Sequence, residues 1–499
     1  MPPNHASIAA PFYPIIYVRG YAMTPQEIAS TAATPYMGFN LGATKIRQSW
    51  TGRVVRHIFE SPLIRLMKDY GYQDIYHEGQ EIDGPLSARS IVIHRYYEQA
   101  DQQLGTGETP SIEEAAWGLH RLVLRLRDQG CGKDAAARKA CRVYLVAHSM
   151  GGLICRAFLQ NPSIGTPESK ALVDKVFTYA TPHNGIDMLG VNVPRFVGLW
   201  DMDNFNRTRM RRYLALPDTA QRVDDLGDAF DPRRFFCLVG TNHRDYEVAL
   251  GLSRMLAGEM SDGLVRIDNA TVARAPRAYV HRSHSGPFGI VNSEEGYQNL
   301  IRFLFGDLRL EGWCEVEHLP LPPSVRRAKQ AGKEIRASYY FEVTAAPRGA
   351  VSYTLTERRR ATHSAILRTF DELLRPERAG REEPRWPHLF SLFLDTRQIT
   401  RGRTVVLGLD CVIATTGYEI DGRFFFEQHL PGEVLFRDTV ALRLTPTADG
   451  WRIRYTLADN GWSEGRGRPV ELDEQGPFIP LRSGKGLRAK LRLSLRPWQ

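Results

Sequence analysis

The stretch RVYLVAHSMGGLICRAF, residues 142–158, decides how the chain is read. Val143 to Ala147 is a short apolar run of strand-forming residues. His148-Ser149-Met150-Gly151-Gly152 is a tight corner of mostly small side chains, and from Leu153 the spacing turns helical. A strand, a sharp turn with a serine at its apex and a helix together lift one hydroxyl clear of the backbone. Small residues two before and two after it, Ala147 and Gly151, keep side chains apart where strand meets helix. The first helical turn presents unpaired N–H groups that favour negative charge. A serine hydroxyl is a poor nucleophile near neutral pH and needs a base beside it. The same string also suits an ordinary strand-to-helix connection with a capping serine. The rest of the chain must therefore supply the partners.

Ala147-His148-Ser149-Met150-Gly151-Gly152 resembles the nucleophile elbow of α/β-hydrolase lipases and esterases. Most of that family has glycine where this chain has Ala147, although some bacterial lipases share the alanine. The resemblance implies a mostly parallel α/β sheet with helices on both faces and Ser149 as nucleophile. It also makes the N–H of Met150 one oxyanion donor. Upstream, Ile15 to Val18 reads as a buried strand ending in Arg19-Gly20. Lipases of this fold usually have His-Gly there, and the residue after the glycine, here Tyr21, supplies the second oxyanion N–H by resemblance. Arginine in place of histidine is a departure, of small consequence to a backbone donor.

The remaining partners follow in chain order. Ser261-Asp262-Gly263-Leu264-Val265 resembles the acid turn of bacterial triacylglycerol lipases. Tyr279 to Gly286, YVHRSHSG, reads as a last core strand running into a loop that carries His284. The order Ser149, Asp262, His284 is the one the fold requires. His281 is the rival base and Asp245 the rival acid. His284 is favoured because the strand should end before the base and small residues follow it. Lys175 to Gly185 gives another strand and its exit loop, whose Thr-Pro-His-Asn-Gly ending resembles the pocket-lining loop of lipases and of the inositol-deacylase branch. His183 there is read as structural or pocket-lining. Phe235 to Gly240 is a further strand.

Ser111-Ile112-Glu113-Glu114 carries a capping box. It opens a helix with apolar positions Ile112, Ala115, Ala116, Leu119, Leu122, Val123 and Leu126, ended by Gly130. Ser90 to Tyr96 reads as a strand. Residues 22–90 are expected to be largely an insertion bordering the site mouth, with an amphipathic Pro62 to Tyr70. Residues 186–230, with Phe196, Leu199, Trp200 and Phe205, suit either a helical cap or plain packing.

Composition narrows the remaining classes. A 499-residue chain with 42% hydrophobic and 24% charged residues is globular and long enough for two or three domains. No apolar run of membrane-spanning length occurs, and Met1 to Ala10 has no signal-type pattern. Six cysteines without a Cys-x-x-Cys read as reduced thiols in a cytoplasmic protein. The net charge of +9 is mild. It reads as solvated faces, with contact to an anionic membrane surface as the functional alternative. No nucleic-acid motif, zinc-site spacing or complete phosphate-binding loop occurs.

After Phe305 the character changes. Residues 311–335 read as a proline-rich linker, and 336–499 as a β-sandwich-like domain built from period-two runs, with Ala448-Asp449-Gly450 as a hairpin turn. The sequence thus points to a serine hydrolase of carboxylic esters, acting on an ester or lipid-like small molecule without an organic cofactor. Acyl transfer, thioester or amide cleavage and a non-catalytic binding role share the same motifs.

Overall fold

A computed structural model describes residues 10–20, 36, 39, 43–48, 54–59, 61–77, 80–81, 84–101, 105–188, 191–192, 202–243, 260–286, 289–348, 355, 365–375, 386–399, 402–420, 428–458 and 467–499. The chain divides into two compact units, Met1–Phe305 and Gly306–Trp498, with Gln499 counted with the first.

The first unit is built on seven strands: β1 Ile15–Val18, β2 Gln73–Asp74, β3 Ser90–Ile93, β4 Val143–His148, β5 Val173–Tyr179, β6 Phe235–Gly240 and β7 Arg277–Val280. They lie in the spatial order β7-β6-β5-β4-β1-β3-β2. Every pairing is parallel. A parallel sheet must be covered on both faces, so its strands are near-continuous apolar runs rather than alternating ones. β1 and β3 are buried at every position. β4 runs through the middle, which places the turn after it at the centre of the carboxyl edge.

The two faces are covered by different helices. Helix α1, Pro62–Tyr70, and helix α4, Glu294–Phe305, lie on one side. The rings of Tyr70 and Phe12 pack on Phe305, and those of Phe177 and Phe236 on Phe303. Lys175 of β5 points the same way. It is buried and donates to the Leu304 carbonyl at 2.9 Å, satisfying an orphan acceptor at the end of α4. Burial pushes its ammonium down to about 7. Alternation along β4 and β5 then aims Leu145 and Val176 at the opposite face. Helix α2, Ile112–Cys131, and helix α3, Gly151–Gln160, pack against each other, and α3 packs against β4.

Several expectations need correcting. Helix α2 runs past Gly130 and is capped by Gly132, which holds φ 54°. The strand expected over Ser90 to Tyr96 stops at Ile93, and a 3-10 turn begins at Tyr96. Residues 61–77 are not part of an insertion. The apolar side of α1 is buried beside α4, with Arg65 paired to Glu294, and β2 closes the sheet edge. Within 186–230 the described residues form a small hairpin, a 3-10 turn Met202–Phe205 and a short helix Arg207–Tyr213. Phe196, Leu199 and Trp200 lie outside the described residues.

The second unit consists of two antiparallel sheets. The five-stranded one contains β8 Leu308–His318, β11 His388–Leu394, β17 Glu471–Asp473, β18 Gly476–Arg482 and β19 Arg488–Pro497, in the order β11-β8-β19-β18-β17. The seven-stranded one contains β9 Ile335–Arg348, β10 Ile366–Thr369, β12 Val405–Ile420, β13 Gln428–Pro431, β14 Val434–Thr447, β15 Gly450–Leu457 and β16 Arg468–Pro469. Its order is β10-β9-β12-β14-β15-β16, with β13 also on β12. Cys314 of β8 and Cys411 of β12 are both buried, and β9 of the larger sheet contacts β11 of the smaller one. The linker expected over 311–335 is absent. β8 pairs with β19 along its whole length and is followed by a short helix, Pro323–Gln330. Leu308, Leu310, Cys314 and Val316 alternate with charged or polar residues, a strand pattern that the adjacent prolines obscure. The hairpin at Ala448-Asp449 is present, with Thr447 opposite Gly450.

Candidate active site

The carboxyl edge of the parallel sheet gathers the residues singled out in the sequence. Ser149 sits directly after β4 with φ 54°, a left-handed conformation that costs a non-glycine residue about 1–2 kcal/mol. Three hydrogen bonds hold it there. Its N–H donates to the Tyr179 carbonyl at 2.9 Å. Its own carbonyl accepts from Thr181 Oγ1 at 2.8 Å and from the Gly152 N–H at 3.1 Å. The tight corner leaves no room for extra atoms. A Cβ on Gly151 would lie 2.1 Å from the Val18 carbonyl, and one on Gly20 would lie 2.4 Å from Ser149 Cβ. This chain turn is a nucleophile elbow in geometry, seated on the central strand of an all-parallel sheet. The first unit has the α/β-hydrolase fold.

His284 lies on the loop after β7, at the same edge. Its Nε2 is 2.9 Å from Ser149 Oγ, and its Nδ1 is 2.9 Å from Asp262 Oδ2. All three side chains are buried or nearly so. Asp262 is aimed by its own turn, since its Oδ1 accepts the N–H groups of Leu264 at 3.0 Å and Val265 at 2.8 Å. Its backbone carbonyl accepts from the His284 N–H at 3.0 Å, which joins acid loop to base loop directly. The base loop is also tied to α4. Arg282 forms a two-pronged ion pair with Glu295, with a shortest contact of 2.9 Å.

The structure thus brings Ser149, Asp262 and His284 together, and it is His284, not His281, that reaches Ser149. Asp245 and Tyr21 lie outside the described residues. Met150 is buried at the start of α3, and its N–H has no hydrogen-bond partner among the described residues. His183 is fully buried, with Nε2 3.1 Å from Thr178 Oγ1, and it takes no part in the Ser149 array. Burial, followed by the nearby Arg156 charge, keeps its ring well below the usual imidazole range.

Two contributors were not visible in the sequence. His148 precedes the elbow serine, and its Nε2–H donates to the His284 carbonyl at 2.9 Å. Burial, and then the neighbouring His284, push its ring down to about 3, so it donates as a neutral imidazole. Arg156 on α3 is fully buried. Its guanidinium donates to the carbonyls of His183 at 2.8 Å, Val223 at 2.7 Å and Asp225 at 3.0 Å. The only hint in the sequence was a single cation in an otherwise apolar helix.

Comparison with known proteins adds the following. No protein-family model matches the sequence, and no curated protein matches it. Among solved structures, a metagenomic carboxyl esterase aligns at 14% identity over 56% of this chain and 66% of its own, with a TM-score of 0.30. Phospholipase PlaB from Legionella pneumophila aligns at 14% identity over 80% of this chain and 85% of its own, with a TM-score of 0.32. A cutinase-like protein from Cryptococcus sp. aligns at 14% identity over 60% and 98%, with a TM-score of 0.23. The strand order and the elbow, not these alignments, define the fold. No described helix is long and apolar enough to cross a membrane.

Two histidines held neutral, the buried His94 and the half-buried His148, make a prediction for acid stability. The rings of His148 and His94 sit at about 3 and about 4, both lowered first by burial. In the unfolded chain both take up protons below about 6.5. The unfolded state therefore binds more protons as pH falls through that value, and stability is lost going down, not up. Each ring should cost about 2 kcal/mol at pH 5 relative to pH 7.5. Thermal unfolding between pH 7.5 and 5 should show a steady fall in Tm, steeper in wild type than in His94→Gln. A flat profile would contradict the buried neutral state.

Proposed function

We propose that the protein is a serine hydrolase of carboxylic esters that works through an acyl-enzyme. The observation that carries this reading is the continuous hydrogen-bond chain from Ser149 Oγ through the His284 ring to Asp262, at 2.9 Å for both links.

Each group has a role set by its surroundings. His284 Nε2 takes the Ser149 proton as Oγ attacks the ester carbonyl, and the carbonyl π electrons move onto oxygen. The Met150 N–H, without a partner among the described residues at the start of α3, faces the developing oxyanion, and the Tyr21 N–H is its companion by resemblance. As the tetrahedral species collapses, the alcohol leaves with the proton held by His284. Water then attacks the acyl-enzyme, giving its proton to His284, and the acid is released as Ser149 recovers its proton. Asp262 stays ionised and keeps the imidazole in the tautomer with hydrogen on Nδ1. His148, a neutral donor to the His284 carbonyl, fixes the base loop. No organic cofactor is called for. The substrate is an ester or lipid-like small molecule.

A panel of p-nitrophenyl esters of increasing acyl length tests the reading. Wild type should turn over at least part of the panel, and Ser149→Ala should fall by about 10⁴-fold or more in kcat. Equal rates in the two proteins, or no turnover of any ester by wild type, would sink it.

The elbow's packing gives a companion test. Gly20→Ala would push a methyl group into Ser149 Cβ and, at 2.8 Å, the His148 carbonyl. Overpacking of this kind costs about 1–3 kcal/mol and displaces the hydroxyl. We expect lower Tm together with at least tenfold lower kcat/KM. Unchanged values in both measurements would contradict the described contact.

A further inference from the structure

The loop that leaves β5, residues 180–187, touches both the elbow and the acid loop. It begins in a costly backbone shape. Ala180 holds φ 49°, in the left-handed region that non-glycine residues avoid, and such strain persists only where surrounding contacts fix it. The bend carries Thr181 onto the elbow, where its Oγ1 donates to the Ser149 carbonyl at 2.8 Å. The packing is tight, since a Cβ on Gly152 would lie 2.3 Å from that oxygen. Three residues further on, Asn184 reaches the acid loop.

Asn184 is buried, and every polar group it carries is engaged. Its N–H donates to the Asn269 carbonyl at 3.0 Å, and its Nδ2 donates to Asn269 Oδ1 at 2.9 Å. Its Oδ1 accepts from the Val223 N–H at 2.9 Å, and its carbonyl accepts from Arg207 Nε at 3.0 Å. Asn269 is buried as well, and its Nδ2 donates to Asp187 Oδ2 at 2.8 Å, at the far end of the same loop. Asn269 also moves as one piece with Asp262. Its N–H donates to the Arg266 carbonyl at 2.9 Å, the Ile267 N–H donates to the Met260 carbonyl at 3.0 Å, and Ser261 bridges to Arg266. The chain from Ser149 through Thr181, Asn184 and Asn269 to the acid turn is therefore continuous.

The site needs such a link. Asp262 lies well past Gly240, where β6 ends, so that strand alone does not place it. His284 stands 2.9 Å from both Ser149 Oγ and Asp262 Oδ2 only while the elbow and the acid turn keep their spacing. In a buried, fully satisfied network a lost link is not cheaply replaced. We propose that Asn184 is a positioning residue that sets the acid turn against the elbow through Asn269, with Thr181 as the other end of the clamp. Its consequence for rate rests on the serine-hydrolase reading, whereas its consequence for the Asp262–His284 contact does not.

The test uses the full chain with isotope-labelled histidine. Proton NMR of the wild type should show a far-downfield resonance from the His284 Nδ1–H held by Asp262, identified by its loss in His284→Ala. Asn184→Ala should shift or broaden that resonance. It should also lower kcat for p-nitrophenyl esters about tenfold or more with KM within about twofold, because small displacements of reacting groups are costly. Thr181→Val, nearly the same shape, should lower kcat about threefold or more and leave the resonance in place, which reads the other end of the clamp even where Asn184→Ala does not fold. Ser169→Ala removes a buried hydrogen bond to His120 outside the clamp, and should lower Tm while leaving both readouts unchanged. A folded Asn184→Ala with wild-type resonance and kcat overturns the proposal, as does an equal loss in Ser169→Ala. If wild type hydrolyses no ester, the hydrolase reading falls, and the resonance alone decides whether Asn184 places Asp262.

Discussion

His284→Ala should lower kcat for p-nitrophenyl ester hydrolysis by about 10⁴-fold or more, while His281→Ala should stay within about tenfold of wild type. The asymmetry follows from position. The ring of His284 lies between Ser149 Oγ and Asp262 Oδ2 at 2.9 Å from each. The residue three places earlier lies immediately after the end of β7, before the loop turns toward the elbow. Without the imidazole, Oγ must lose its proton to water, and oxyanion stabilisation alone remains. Circular dichroism should show both variants folded. If His281→Ala were the inactive one, the assignment of the base would fall, whatever the fate of Ser149.

The second large effect concerns stability. Arg156→Met should destabilise the protein by about 2–3 kcal/mol or more, because it strands the buried carbonyls of His183 and Val223. Those two carbonyls come from segments far apart in sequence, while the exposed Asp225 carbonyl, the third acceptor, keeps a donor in Gln160. The guanidinium remains charged at neutral pH even though burial lowers it to about 10, so its loss also removes a strong charge-assisted donor. Methionine has a similar length and fills most of the space, which separates lost hydrogen bonds from a simple cavity. Urea unfolding followed by fluorescence is the measurement. A change below about 1 kcal/mol would show that water replaces the donor.

The site was legible because its chemistry forces local signatures. The elbow needs small residues at fixed offsets, and Ala147 and Gly151 supplied them. The acid turn needs a carboxylate that can accept its own backbone N–H groups, as Asp262 does from Leu264 and Val265. What the sequence hid depends on distant partners. A lysine in a strand, as at Lys175, reads as a surface residue until the end of α4 is known to lie above it. Arg156 and His148 have the same character, since each is explained by a carbonyl supplied from elsewhere in the chain. The strand Leu308–His318 was missed because the prolines that follow it obscure the alternation of Leu308, Leu310, Cys314 and Val316 with Arg309, Glu311, Glu315 and Glu317. Its partner, Arg488–Pro497, lies at the far end of the chain.

The central claim is that Ser149 is a nucleophile activated by His284. Labelling with a fluorophosphonate, followed by peptide mass spectrometry, tests it most directly. We expect one stoichiometric adduct on the peptide containing Ser149 in the wild type, and none there in Ser149→Ala or His284→Ala. An unlabelled Ser149 in folded wild-type protein, or equal labelling once His284 is removed, would contradict it.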